Sequence, residues 1–121
     1  MKIAAQLLIT LIAFEHVYIL VLEMFLWRTR ARRIFGMSAE QAEATAVLAK
    51  NQGLYNGFLA AGLVWAHYSF HQGSPEMVPR ATFFLACVFI AGVYGGITAS
   101  RRILWLQAGP AALALLALYL S

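Results

Sequence analysis

The sequence predicts an all-α integral membrane protein, a four-transmembrane-helix bundle with a long cytoplasmic first loop, on three observations. Apolar residues make up 62% of the 121 residues and charged ones 12%, against ~45–50% and ~25% in soluble domains. The apolar residues gather into four stretches, about 3–27, 51–71, 80–100 and 103–120, each near the ~20 residues that cross a ~30 Å hydrocarbon core. The cations stand almost entirely between those stretches, where they set topology. Too little chain remains for a separate soluble domain, so residues 1–121 are read as one membrane domain with any site among the spans or at their ends.

The first stretch, Ile3 to Trp27, opens like a signal peptide. Glu15 and His16 stand where a small-residue cleavage site would be, and apolar residues resume after them, so the segment is read as a span. The basic run Arg28-Thr29-Arg30-Ala31-Arg32-Arg33 follows and opens the loop 28–50. Ser38 with Gln41 forms a capping box, and Glu40 adds an anion to the first turn, so a helix is expected from Ser38. Nothing stops it before Gly53, and the Ala-rich segment 39–50 should run on into the second span as one long helix. Gln72-Gly73-Ser74-Pro75 predicts a turn, and Pro79 suits the first residue of the third span. Arg101-Arg102 allow a tight hairpin, and Gly109-Pro110 predict a kink or offset in the fourth span.

The net charge of +4 would suit a nucleic-acid partner in a soluble protein. Here the cations lie at span ends, and membrane lipids rather than nucleic acid are the expected contact. Seven of them (Arg28, Arg30, Arg32, Arg33, Lys50, Arg101, Arg102) fall on one side and two (Lys2, Arg80) on the other, which places both termini outside. The single cysteine, Cys87, lies within an apolar run and reads as a packed small hydrophobe. His67 and His71 have the spacing of two metal ligands, but no third is evident, so neither a metal nor another cofactor is expected.

A carboxylate inside a lipid-crossing helix is costly unless protonated, paired or wetted, so Glu15 and Glu23 must face protein or a water-filled cavity. On a helical wheel Glu15, His16 and Glu23 fall within a sector about 100° wide. Asn51, Gln52, Tyr55 and Asn56 form a polar sector on the second span, backed by Gly53 and Gly57. Tyr94 marks a polar side of the third span, opposed by Gly92, Gly95 and Gly96. Together Glu15, His16, Glu23, Asn51, Gln52, Tyr55, Asn56 and Tyr94 are expected to line a polar crevice open to the cytoplasm. The glycines are expected to pack helices, and two such stripes predict a homo-oligomer.

The segments Phe14-Glu15-His16-Val17-Tyr18-Ile19-Leu20, Leu22-Glu23-Met24-Phe25-Leu26-Trp27, 50–59 (KNQGLYNGFL) and Gly92-Val93-Tyr94-Gly95-Gly96 carry a family likeness. Over essentially its whole length the chain resembles a bacterial family of four-span inner-membrane proteins, the domain of unknown function numbered 1304. That resemblance implies the fold and the bacterial inner membrane, and no activity. The chain is also similar in part to the small multidrug-resistance transporters, whose proton-titrating first-span glutamate Glu15 would match. In its Arg-rich end to span one, and in Asn51, Tyr55 and Phe58-Leu59, it resembles the membrane eicosanoid and glutathione enzymes. Gly53 and Leu54 stand where their glutamate would follow.

Two functions are therefore carried forward, beside a third reading as a structural subunit. In one, Glu15 beside His16 exchanges a proton for a small cationic or amphipathic ligand, with Tyr18, Tyr55 and Tyr94 as aromatic walls. In the other, Glu15 or Glu23 and His16 serve as acid and base on a lipophilic substrate, with Asn51, Asn56 and Tyr94 orienting it. No Ser or Cys nucleophile with a base partner and no phosphate loop is recognisable, which favours the first.

Overall fold

A computed structural model of the chain describes residues 2–120. Met1 and Ser121, the ends to which the expected topology refers, lie outside the described residues. Among these there is no strand. The helices are α1 (Lys2–Met24), α2 (Arg32–Phe35), α3 (Ala39–His71), α4 (Met77–Thr98), α5 (Arg101–Ile103) and α6 (Gly109–Tyr119), with π-helical turns at Trp27–Ala31 and Leu104–Ala108.

Among the described residues, three segments are long and apolar enough to cross a membrane: Lys2–Met24, Met77–Thr98 and Arg101–Tyr119. Their outward faces are apolar too, with Leu7, Phe14, Ile90 and Ile97 among the exposed large side chains. Helices that are apolar all round belong in lipid or a large core. The expected second span is not among the three. It forms the C-terminal part of α3, long enough but diluted by Asn51, Gln52, Asn56, His67 and His71. The segment expected as a loop from 28 to 50 is mostly helical, because the Trp27–Ala31 turn, α2 and the first turns of α3 occupy it. The first span ends at Met24 rather than Trp27, and α4 starts at Met77, so Pro79 is its third residue; proline is tolerated there because first-turn N–H groups have no intrahelical acceptor.

The chain divides into two compact units, residues 1–13 with 59–121, and residues 14–58. In the first, Ile9, Ile12, Leu63, Leu85 and Val88 are buried among Ala81, Ala111 and Ala114. Small residues let the backbones approach. A Cβ on Gly92 would strike the backbone nitrogen of Ala108, one on Gly96 would come within 2.8 Å of Leu104 Cβ, and one on Gly95 within 3.0 Å of Ile103 Cγ2. Pro110 offers no N–H and its ring would crowd the carbonyl four residues back. The helix widens ahead of it into the Leu104–Ala108 π-turn, with the Gly109 N–H reaching Leu104 O, and this is the form that the expected offset takes.

In the second unit the capping box forms: Gln41 N donates to Ser38 Oγ at 3.1 Å and Ser38 N to Gln41 Oε1 at 3.0 Å. Gly36 ends α2 at φ 66°, a left-handed conformation that costs glycine little. From Ser38, α3 continues unbroken to His71, as its sequence leads one to expect. Ala42, Ala46 and Ala49 form its buried stripe at helical spacing. Trp27 Nε1 donates to Thr45 Oγ1 at 3.0 Å, and the Trp27 and Phe35 rings lie 5.9 Å apart, tying the π-turn and α2 to α3.

Candidate functional site

The sequence-predicted polar residues fall mostly in the 14–58 unit. His16 is 1% exposed, among the most deeply buried side chains, and Glu15 and Glu23 are half-buried. The carboxylate oxygen Oε1 of Glu15 is fully buried and has no hydrogen-bond partner among the described residues. Glu23, two turns further on, is partnered: Asn56 Nδ2 donates to its Oε1 at 2.6 Å. The glycines behind Asn56 make that reach possible. A Cβ on Gly53 would come within 2.6 Å of Met24 Cγ and 3.1 Å of Glu23 Cβ, and one on Gly57 within 2.7 Å of Leu20 Cδ1.

The other amides do not join them. Asn51 and Gln52 are exposed, and Asn51 Nδ2 donates to its own helix at Val47 O, 2.9 Å. Tyr55 is also exposed and stands beside Phe58, ring centroids 6.3 Å apart. Tyr94 belongs to the other unit and is exposed on α4. Of the eight residues read as one crevice, the Glu23–Asn56 pair is thus joined by a hydrogen bond, and Glu15 and His16 are drawn inward on α1.

The glycine stripes are each filled from within the chain, Gly53 and Gly57 by α1 and Gly92, Gly95 and Gly96 by residues 103–108. With both stripes occupied from within the chain, neither by itself calls for a second copy.

Between the Trp27–Ala31 turn and α3, Arg28 Nε donates to Glu43 Oε2 at 2.5 Å and Nη2 to Oε1 at 3.2 Å, a forked pair. The guanidinium holds the Glu43 carboxyl below the usual carboxylate range, and the carboxylate pushes Arg28 further up. Both side chains are open to solvent, so the pair orients more than it stabilises.

Two polar clusters lie in the other unit; sequence reasoning singled out the spacing of His67 and His71 but missed the contacts of Arg80 and of Thr10. Arg80 lies 4.1 Å from the Trp65 ring, donates from Nη1 to the buried Ser69 Oγ at 2.7 Å, and pairs with Glu76. His67 and His71 approach each other, with Thr10 beside His67. The i, i+4 spacing signals the histidine pair and the Glu76–Arg80 pair, whereas nothing local signals Thr10.

The model of the family described as Protein of unknown function (DUF1304) matches residues 10–119. The chain is 35% identical over 119 residues to the Uncharacterized protein YpaA of Lactococcus lactis subsp. lactis (strain IL1403), covering 96% of this chain and 97% of that one. No solved structure matches. With the family match spanning most of the chain and a relative covered almost end to end, the protein belongs to the DUF1304 family.

Proposed function

We propose that this protein is a four-span inner-membrane protein, with the C-terminal part of α3 as the fourth span, that binds a small amphipathic cation in exchange for a proton at Glu15. One observation carries the reading: the buried Oε1 of Glu15, without a hydrogen-bond partner among the described residues, on a helix apolar enough to cross a bilayer. A carboxyl so placed is satisfied by a proton or by a cation, and by one at a time, which is the chemical basis of exchange. His16, next in sequence, is buried on the same helix. Asn56 holds Glu23 and leaves Glu15 as the carboxyl available to a ligand.

The alternative, an enzyme acting on a lipophilic substrate, needs several orienting groups to converge on its acid and base. Of the orienting groups assigned to it, Asn56 bonds to Glu23, whereas Asn51 bonds back to its own helix and Tyr94 is exposed, which favours exchange over catalysis. In this reading the Lys/Arg asymmetry places both termini outside, and a homo-oligomer would form through exposed apolar faces rather than through the glycine stripes.

Tetraphenylphosphonium, a lipophilic cation, is a suitable probe. Saturable binding to the purified protein is expected, with Glu15→Gln folding normally and losing it. Undiminished binding by Glu15→Gln would overturn the assignment.

A further inference from the structure

The two histidines near the end of α3 are one helical turn apart, and their Nε2 atoms stand 3.1 Å from each other. The rings meet edge to face, centroids 4.8 Å apart. Two nitrogens bound ~2.0–2.1 Å from one Zn2+, at angles between square and tetrahedral, stand ~2.8–3.4 Å apart. The observed separation lies within that bite.

The contacts of Thr10 favour one tautomer of His67. Thr10 Oγ1 spends its one proton on Gln6 O at 2.9 Å. Toward His67 Nδ1, 3.4 Å away, it can therefore only accept, and His67 Nδ1 carries the hydrogen. The lone pair of His67 is then on Nε2, the atom facing His71. A ligating imidazole whose other nitrogen donates to an oxygen is the arrangement that metal sites use to fix ring orientation. His71 is exposed, so its ring is free to turn and to exchange tautomers with water. Thr10, Gln6, His67 and His71 all belong to one compact unit.

We propose that His67 and His71, with Thr10 orienting His67, form a two-histidine site for a divalent transition-metal ion such as Zn2+. Imidazole nitrogens suit Zn2+, Cu2+ and Ni2+ rather than Ca2+ or Mg2+. Two protein ligands leave the remaining coordination positions to water or a small ligand, so the site is open and exchangeable rather than structural. Without metal, the same two atoms share a hydrogen bond from His71 Nε2–H to His67 Nε2; on metal binding the His71 proton moves through water to its Nδ1, freeing the Nε2 lone pair with no net change in protonation.

The test is a calorimetric titration of Zn2+ into the full-length protein in detergent, purified without a histidine tag. Binding at one Zn2+ per chain is expected. His67→Gln and His71→Gln should each remove most of the affinity, and Thr10→Val should weaken it by about 10- to 100-fold while leaving both ligands in place. Cu2+-loaded protein should show two nitrogen ligands by electron paramagnetic resonance, reduced to one in either single variant. His71 is exposed and its loss should leave the fold intact, which size-exclusion chromatography and circular dichroism would check. No saturable Zn2+ binding, or binding unchanged in the His67→Gln/His71→Gln double variant, would overturn the site.

Discussion

Where α4 meets the turn before α6, backbone lies against backbone, and a Cβ on Gly92 would run into the Ala108 amide nitrogen. Where α3 meets α1 in the 14–58 unit, Gly57 faces only the Leu20 side chain and Gly53 the Met24 and Glu23 side chains with the Leu20 carbonyl, and a polar pair, Glu23 and Asn56, lies beside them. The first contact has no atom that can swing aside. In the second, Gly57 meets only the end of the Leu20 side chain, which can rotate. A small-residue stripe therefore has two meanings. At Gly92 it is a steric requirement, and at Gly57 it makes room for a neighbouring polar contact.

The comparison breaks most readily at Gly92. Gly92→Leu should abolish the folded protein, and Gly92→Ala should cost about 1–3 kcal/mol as overpacking, read from thermal unfolding in detergent. Next in size is the polar pair. A Glu23→Ala/Asn56→Ala double-mutant cycle should give a coupling of about 0.6 and at most ~1.7 kcal/mol, since interhelical hydrogen bonds in membranes are modest. Gly57→Ala should fall below either, because Leu20 Cδ1 can rotate away from the added methyl; a loss as large as that of Gly92→Ala would erase the distinction.

The smallest effect belongs to the exposed fork of Arg28 and Glu43. Because Arg28 lowers the folded-state value of Glu43, its stabilisation is present above the ordinary carboxylate range and fades as pH falls through the lowered value. Glu43→Gln should flatten that acid limb of the stability profile slightly, and raising the salt concentration should do the same.

Much of this architecture was legible in the residues. Ser38 and Gln41 announced the start of α3, and the absence of a breaker before Gly53 announced that it would continue. Gly109-Pro110 announced a disturbance, but its resolution as a π-turn depends on Gly92 and Gly96 drawing the following segment close, which is tertiary information. The wheel placed Glu15, His16 and Glu23 on one side of α1, and the structure draws all three inward. It could not tell which amide of α3 would meet them. Asn56 does so because Gly53 and Gly57 let the helices approach on its side, while Asn51 bonds back to Val47. The segment 28–37 was hardest to read, since an Arg-rich stretch has no apolar period and its turns are tied to α3 by Trp27 reaching Thr45, a long-range contact.

The central claim concerns Glu15 and the proton it exchanges. Proton release on tetraphenylphosphonium binding, followed with a pH indicator in weakly buffered detergent solution, tests it most directly. The account predicts about one proton released per cation bound by the wild type at saturation, and neither binding nor release by a folded Glu15→Gln variant. Cation binding without proton release, or release that persists in Glu15→Gln, would contradict it.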